Sequence, residues 1–135
     1  MKVEAVLDKH LVIIVENQIG ALAKVAEVIS SAEINMIATS AYVSEGRGII
    51  VLVTENNREA RNLLRAEKFN VRDEEAILVS IENVSGALQT LLQRIANTGI
   101  DLKYLYGSVN KKAKMSRLVL VSEFNNVVLT AIKSL

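Results

Sequence analysis

With 135 residues, no cysteine and one histidine, the chain excludes disulfides, thiolate nucleophiles, iron–sulfur clusters, Cys-ligated zinc and any multi-histidine metal cluster. Half of its residues are hydrophobic, enough for a packed core, and Lys+Arg 16 against Asp+Glu 15 leaves a net charge of +1 that gives a polyanion little attraction. Residues 1–10 alternate charged and apolar side chains without an apolar signal region, and no apolar run reaches bilayer length, so a soluble cytoplasmic protein without a membrane partner is expected.

Residues 11–15 form an unbroken apolar run rich in β-branched side chains and predict a buried strand, bounded by Glu16, Asn17 and Gln18. A turn containing Gly20 then opens a helix over 20–32, whose Leu22, Val25, Ala26, Ile29 and Ala32 share one face. Residues 36–43 and 49–54 read as two strands joined by a hairpin whose Gly46 and Gly48 suit positive φ. A helix over 58–68, with Ala60, Leu63 and Leu64 inward, leads to a short strand over 69–72. The order so far is βαββαβ. It then repeats: a strand over 76–82, a helix over 86–98 with Leu88, Leu91, Leu92, Ile95 and Ala96 inward, strands over 102–109 and 117–123, and a helix over 125–134. His10, beside Asp8 and Lys9, reads as part of a linker between strands and takes no catalytic role, while the run Lys111-Lys112-Ala113-Lys114 reads as a solvated hairpin tip, with phosphate contact as the alternative.

The two halves are copies of one unit. Glu16-Asn17-Gln18-Ile19-Gly20-Ala21-Leu22 returns 66 residues later as Glu82-Asn83-Val84-Ser85-Gly86-Ala87-Leu88, and Val51-Leu52-Val53-Thr54-Glu55 returns 68 residues later as Val119-Leu120-Val121-Ser122-Glu123. A first module over 8–73 and a second over 74–135 follow. The second stops without a fourth strand, and residues 2–7 occupy the place before module one that 69–72 occupy before module two, so they are expected to complete the second module.

A strand-to-helix turn exposes unpaired backbone N–H groups where the helix dipole favours an anion. Gly20 and Gly86 allow close backbone approach there, and the amides of Asn17 and Asn83 can meet an ammonium or a carboxylate, a combination suited to a zwitterion. The same Asn and Gly also suit a helix cap and a tight turn. Asn35 and Asp101, at the helix exits, suit either support of a site or local turn bonds. Tyr104 and Tyr106 read as cross-strand packing, with closing a pocket as the alternative.

The segment from Leu11 through Gly20-Ala21-Leu22 to Ile34-Asn35-Met36, with its second copy ending Gly99-Ile100-Asp101-Leu102, resembles the opening of an ACT domain, a small module that binds amino acids. The resemblance covers essentially the whole chain as a tandem pair, although no proline precedes either turn glycine and Glu33 stands where a glycine usually ends the first helix. It implies an α+β fold of two ferredoxin-like βαββαβ modules, each with an antiparallel sheet of order 4-1-3-2 and helices on one face. It also implies a non-catalytic regulatory role, with a free amino acid held at Asn17, Gln18, Ile19, Gly20, Ala21 and Leu22, at Asn35, and at Asn83, Val84, Ser85, Gly86, Ala87 and Leu88. No cofactor or metal is expected. Apolar neighbours Ile19, Leu22, Val84 and Leu88 favour an apolar amino acid.

The alternative is a ligand-free regulatory subunit that docks to an amino-acid biosynthetic enzyme. RNA-recognition domains share the βαββαβ order, but residues 11–15 and 49–53 lack the aromatic residues that stack bases, so no nucleic acid is expected. Because 11–15, 49–53 and 118–121 are apolar at odd and even positions alike, one sheet face would be left uncovered by helices, and a homodimer is expected to cover it.

Overall fold

The computed structural model describes residues 1–16, 19–108 and 110–135; the expectations placed on Asn17, Gln18 and Val109 lie outside the described residues. Ten elements follow one another: β1 (Val3–Glu16), α1 (Ala21–Ser31), β2 (Met36–Ser44), β3 (Arg47–Thr54), α2 (Asn57–Ala66), β4 (Asn70–Glu82), α3 (Ala87–Ala96), β5 (Leu102–Ser108), β6 (Met115–Ser122) and α4 (Asn125–Lys133). They fold into two compact units, a first of Lys9–Glu74 and a second of Met1–Asp8 with Glu75–Leu135. Each is a βαββαβ arrangement of the ferredoxin-like kind.

In the first unit the strand order is β2-β3-β1-β4, with β1 and β4 contributing the residues that belong to this unit. β1 and β3 run antiparallel with Leu11 opposite Leu52 and Ile13 opposite Ile50, and β2 pairs antiparallel with the other edge of β3. Alternation along β1 sends Leu11 and Ile13 to the helix side, where they meet Val25 and Ile29 of α1 and Ala60 and Leu64 of α2. Full burial of each such Leu or Ile contributes about 1.5–3 kcal/mol. Asn56 starts α2 by accepting the Glu59 N–H at 3.2 Å and donating its amide to Glu59 Oε2 at 3.1 Å.

The second unit has the order β1-β4-β6-β5, with the opening residues of β1 beside β4; the Glu82 N–H donates to the Lys2 carbonyl at 2.9 Å. Its core gathers Ile77, Val79 and Ile81 of β4, Leu118 and Leu120 of β6, Leu91 and Ile95 of α3, and Val128 and Ile132 of α4, with Ala5 buried and Val3 half-buried against them.

One polar device recurs in both units. Asn57 Oδ1 accepts from Thr54 N–H and Oγ1–H while its amide donates to the Lys9 carbonyl, and Asn125 Oδ1 accepts from Ser122 N–H and Oγ–H while its amide donates to Glu75. Each Asn thus ties a helix start to the strand before it and to a central strand, satisfying buried donors that would otherwise cost about 1–3 kcal/mol each.

Four expectations are corrected. His10 is not in a linker: β1 and β4 are unbroken strands through positions read as connections, and His10 is fully buried with Nε2 2.8 Å from Glu74 Oε1. The hydrogen bond lets an imidazole occupy a strand interior that spacing alone marked as a gap. Leu88 does not point inward; at the first turn of α3 it is exposed, and Ala87, Leu91 and Ile95 form the buried stripe. Of the β2–β3 hairpin glycines only Gly46 takes positive φ, together with Glu45. Gly48 is instead required by space, since a Cβ there would lie 2.7 Å from Val15 Cγ2. Finally, part of the face that carries no helix is buried: Val51 and Val53 are 1% and 3% exposed and Val119 and Val121 are 1% and 2% exposed, while Tyr42 and Arg117 on that face are exposed. At these four valines the chain provides the burial that was expected of a second copy.

Candidate functional site

The two strand-to-helix turns are conformational duplicates. Gly20 has φ 85° and ψ 2°, and Gly86 has φ 85° and ψ −8°, both left-handed N-caps without a side-chain cap. An added Cβ would meet nothing within 4 Å at either position, so backbone conformation alone calls for glycine. Neither α1 nor α3 carries an acidic residue in its first turn, whereas α2 has both a capping side chain and Glu59. The dipole ends of α1 and α3 are therefore unneutralised by their own side chains, the condition that favours a bound anion.

Around these ends apolar side chains face outward. Ile19, Leu22, Val84 and Leu88 are all exposed. In the first unit the turn borders a cleft of about 230 Å³ lined by Ala21 and Leu22 of α1, Tyr42 and Val43 of β2, and Gly48 and Ile49 of β3, with Val15 of β1. Gly48 lets Val15 fill the space where a side chain would stand, so the wall of the cleft there is Val15 itself. In the second unit the positions matching Tyr42, Gly48 and Ile49 are Ser108, Ser116 and Arg117, so the copies differ where the walls are built.

The structure gathers some of the expected residues and separates others. Ile19, Gly20, Ala21 and Leu22 lie together at one turn, and Val84, Ser85, Gly86, Ala87 and Leu88 at the other. The Ala87 N–H donates to the Val84 carbonyl at 3.2 Å. Asn83 turns its amide away from the helix end: Nδ2 donates to the carbonyls of Asn110 at 3.0 Å and Ala113 at 2.9 Å, and its backbone N–H to that of Lys114, fastening the β5–β6 connection. Asn35 sits at the other end of α1, whose eleven residues rise about 16 Å, and its backbone N–H donates to Glu55 Oε1 at 2.9 Å. Glu55 N–H returns a bond to the Asn35 carbonyl, so Asn35 fastens the start of β2 to the end of β3. Asp101 is placed likewise, its carbonyl accepting from Glu123 N–H at 3.4 Å.

Tyr42, Gly48 and Ile49 were not singled out from the sequence as walls of a site. The signal available was comparison of the two copies position by position, which exposes the replacements by serine and arginine. Among the described residues no group of three or more His, Asp or Glu is arranged to hold a metal, and no helix is long and apolar enough to cross a membrane.

Comparison with known proteins places these features in context. The family described as "ACT domain pair" matches residues 6–126. The crystal structure of protein BT0572 from Bacteroides thetaiotaomicron superposes with a TM-score of 0.87 at 25% identity, covering 96% of this chain and 89% of that one. The regulatory subunit of aspartate kinase from Thermus thermophilus, in a ligand-free form, gives 0.67 at 16% identity over 96% of this chain and 95% of that one. That of Thermus flavus gives 0.66 at 18% over 99% and 96%. Among curated protein sequences none matches.

Proposed function

The chain belongs to the ACT family as a pair of ACT domains, and from that premise we propose that it is a non-catalytic regulatory module that binds a free amino acid at its strand-to-helix turns. A regulatory role fits the family and the fold it shares with aspartate kinase regulatory subunits. The observation that carries amino-acid binding is the pairing, in the first unit, of an uncapped, uncharged helix N-terminus with an apolar cleft. The α-carboxylate would meet the N–H groups of α1, and an apolar side chain would enter between Leu22, Val43 and Val15. Binding would shift the balance between conformations by its differential affinity for them, without any chemical step.

The test is a thermal-shift screen of the purified protein against the twenty amino acids. A ligand at a hundredfold excess over its Kd adds about 2.7 kcal/mol to the folded state. A selective rise in Tm with apolar amino acids, lost in Leu22→Asp, is the expected result. The aspartate suits a helix start and leaves the fold intact while repelling a carboxylate. No shift with any amino acid overturns the proposal and leaves the second reading, a ligand-free subunit that docks to an amino-acid biosynthetic enzyme. That reading is supported by the outward-facing Ile19, Leu22, Val84 and Leu88, and co-purification of a catalytic chain would establish it.

A homodimer is also part of the proposal, on a ground other than the sheet face. β2 is an edge strand of the first unit, with Tyr42 and Val43 exposed and no charged residue in its nine positions. An edge of that kind pairs readily with a second copy of itself.

A further inference from the structure

The second unit has a cleft of its own, of about 220 Å³, and it is polar where that of the first unit is apolar. It is lined by Ser80 of β4, Ser108 of β5, Ser116 and Arg117 of β6, and the connection residues Asn110 and Ala113, with Met115. Strand register explains why three of these side chains meet. Arg117 on the central strand β6 lies directly opposite Ser80 on β4 and directly opposite Ser108 on β5. Residues opposite one another share a sheet face, and neighbours Val79, Ile81 and Leu118 belong to the helix-side core, so the Ser-Arg-Ser row projects on the other side.

The duplicate supplies a control built into the chain. The same row in the first unit is Ile14, Ile49 and Tyr42, with Ile49 opposite Ile14 and opposite Tyr42 in the same way. Two aliphatic side chains and a phenol in one copy thus stand against two hydroxyls and a guanidinium in the other. Packing does not ask for the change, because Arg117 is exposed and makes no ion pair among the described residues.

Lys111, Lys112 and Lys114 lie on the connection that borders the cleft, all exposed, and residues 110–117 contain no acid. The connection is held in place: the Asn83 amide grips the carbonyls of Asn110 and Ala113, and Asn110 Oδ1 accepts the Lys112 N–H at 3.0 Å. The nearest acid in register, Glu82 opposite Met115, accepts the Lys2 N–H at 3.2 Å through Oε2. A guanidinium between hydroxyl donors is a receptor for an oxyanion: it presents two parallel N–H groups to two oxygens, and the serines donate to those that remain.

We propose that the second unit carries a binding site for a small oxyanion, a phosphoryl or carboxylate group, held by Arg117 between Ser80 and Ser108 and absent from the first unit. The site lies at the second-unit positions that match Tyr42, Gly48 and Ile49 of the first unit's cleft, and it does not depend on amino-acid binding in the first unit.

The test is thermal shift and calorimetric titration of the full chain with inorganic phosphate, with citrate, and with potassium chloride at matched ionic strength. Phosphate or citrate is expected to raise Tm by about 3 °C or more beyond the chloride control. That rise is expected to vanish in Arg117→Ile, which installs the residue of the first unit, and to fall in Ser108→Ala, which removes one donor while leaving Arg117 in place. Response to phosphate alone identifies a phosphoryl group, and response to citrate alone a carboxylate. A wild-type response no larger than that to chloride overturns the site, as does an equal response in wild type and Ser108→Ala together with Arg117→Ile. Should Arg117→Ile fail to fold, Arg117→Lys, which keeps the charge and loses the fork, is expected to weaken the titrated affinity at least tenfold; an unchanged affinity overturns the proposal.

Discussion

Glu33 ends α1 with φ 58°, and its counterpart Gly99 ends α3 with φ 74°, each donating its N–H to a carbonyl three residues back. The duplicated exit therefore demands the left-handed region in both copies, and only one copy has the residue suited to it. A non-glycine residue there costs about 1 kcal/mol. Glu33→Gly is expected to stabilise the chain by about 0.5–1 kcal/mol, after allowance for the greater freedom of glycine in the unfolded state. Gly99→Glu is expected to destabilise it by a similar amount, and urea unfolding of both variants checks the pair. A loss of stability in Glu33→Gly would show that the carboxylate makes a contribution larger than the strain. Positive φ is a local requirement, which is why Gly20 and Gly86 are legible as turn residues from the sequence. The engagement of Asn83 is not legible in that way, since its partners lie 27 and 30 residues along the chain and only the folded hairpin brings them within 3 Å. Helix-capping and ligand-holding roles, both compatible with Asn before a turn, are equally silent about that long-range use.

At the scale of elements, apolar periodicity locates all four helices and the central strands, because their buried faces repeat at fixed spacing. It fails at residues 8–10 and 73–75, where charged side chains interrupt the pattern while β1 and β4 continue. Edges are equally invisible to periodicity, since which strand has an unpaired side depends on topology. The two edges differ in protection. β5 spans seven residues and carries Lys103, a charge that discourages pairing, whereas β2 spans nine without a charge. Self-association is therefore expected through β2. Light scattering of the wild type at high concentration should report a dimer, and Ala41→Lys with Val43→Lys, at two exposed positions of that strand, should return a monomer while each changes stability by no more than about 0.5 kcal/mol. A monodisperse wild-type monomer would remove the homodimer from the proposed function.

For the molecule as a whole, the repeat is legible because both copies keep the glycine turn and the apolar strand run at nearly constant spacing. What the repeat does not convey is where the copies have diverged in use, since Ser80, Ser108 and Arg117 are scattered over 38 positions and become one row only through strand register. Nor does local pattern reveal that Val51 and Val119 are buried, because burial depends on the folded chain and not on local spacing. The duplication also raises the question of how the second unit closes its sheet. Its fourth strand position is taken by the first residues of the chain: Ala5 is buried and Val3 half-buried in the core of Ile77, Leu120 and Ile132, and the Lys2 carbonyl satisfies the Glu82 N–H. Removing residues 1–7 would strip that edge of β4 of its partner and uncover the core along it, leaving backbone donors and apolar surface exposed together. Each lost kilocalorie per mole lowers the Tm of a chain this size by about 2–8 °C. The truncated chain is therefore expected to melt at least 5 °C lower, with faster hydrogen exchange in residues 76–82 and little change in 47–54, which pair elsewhere. An unchanged Tm and an unchanged exchange pattern would mean that the second unit is complete without its N-terminal strand.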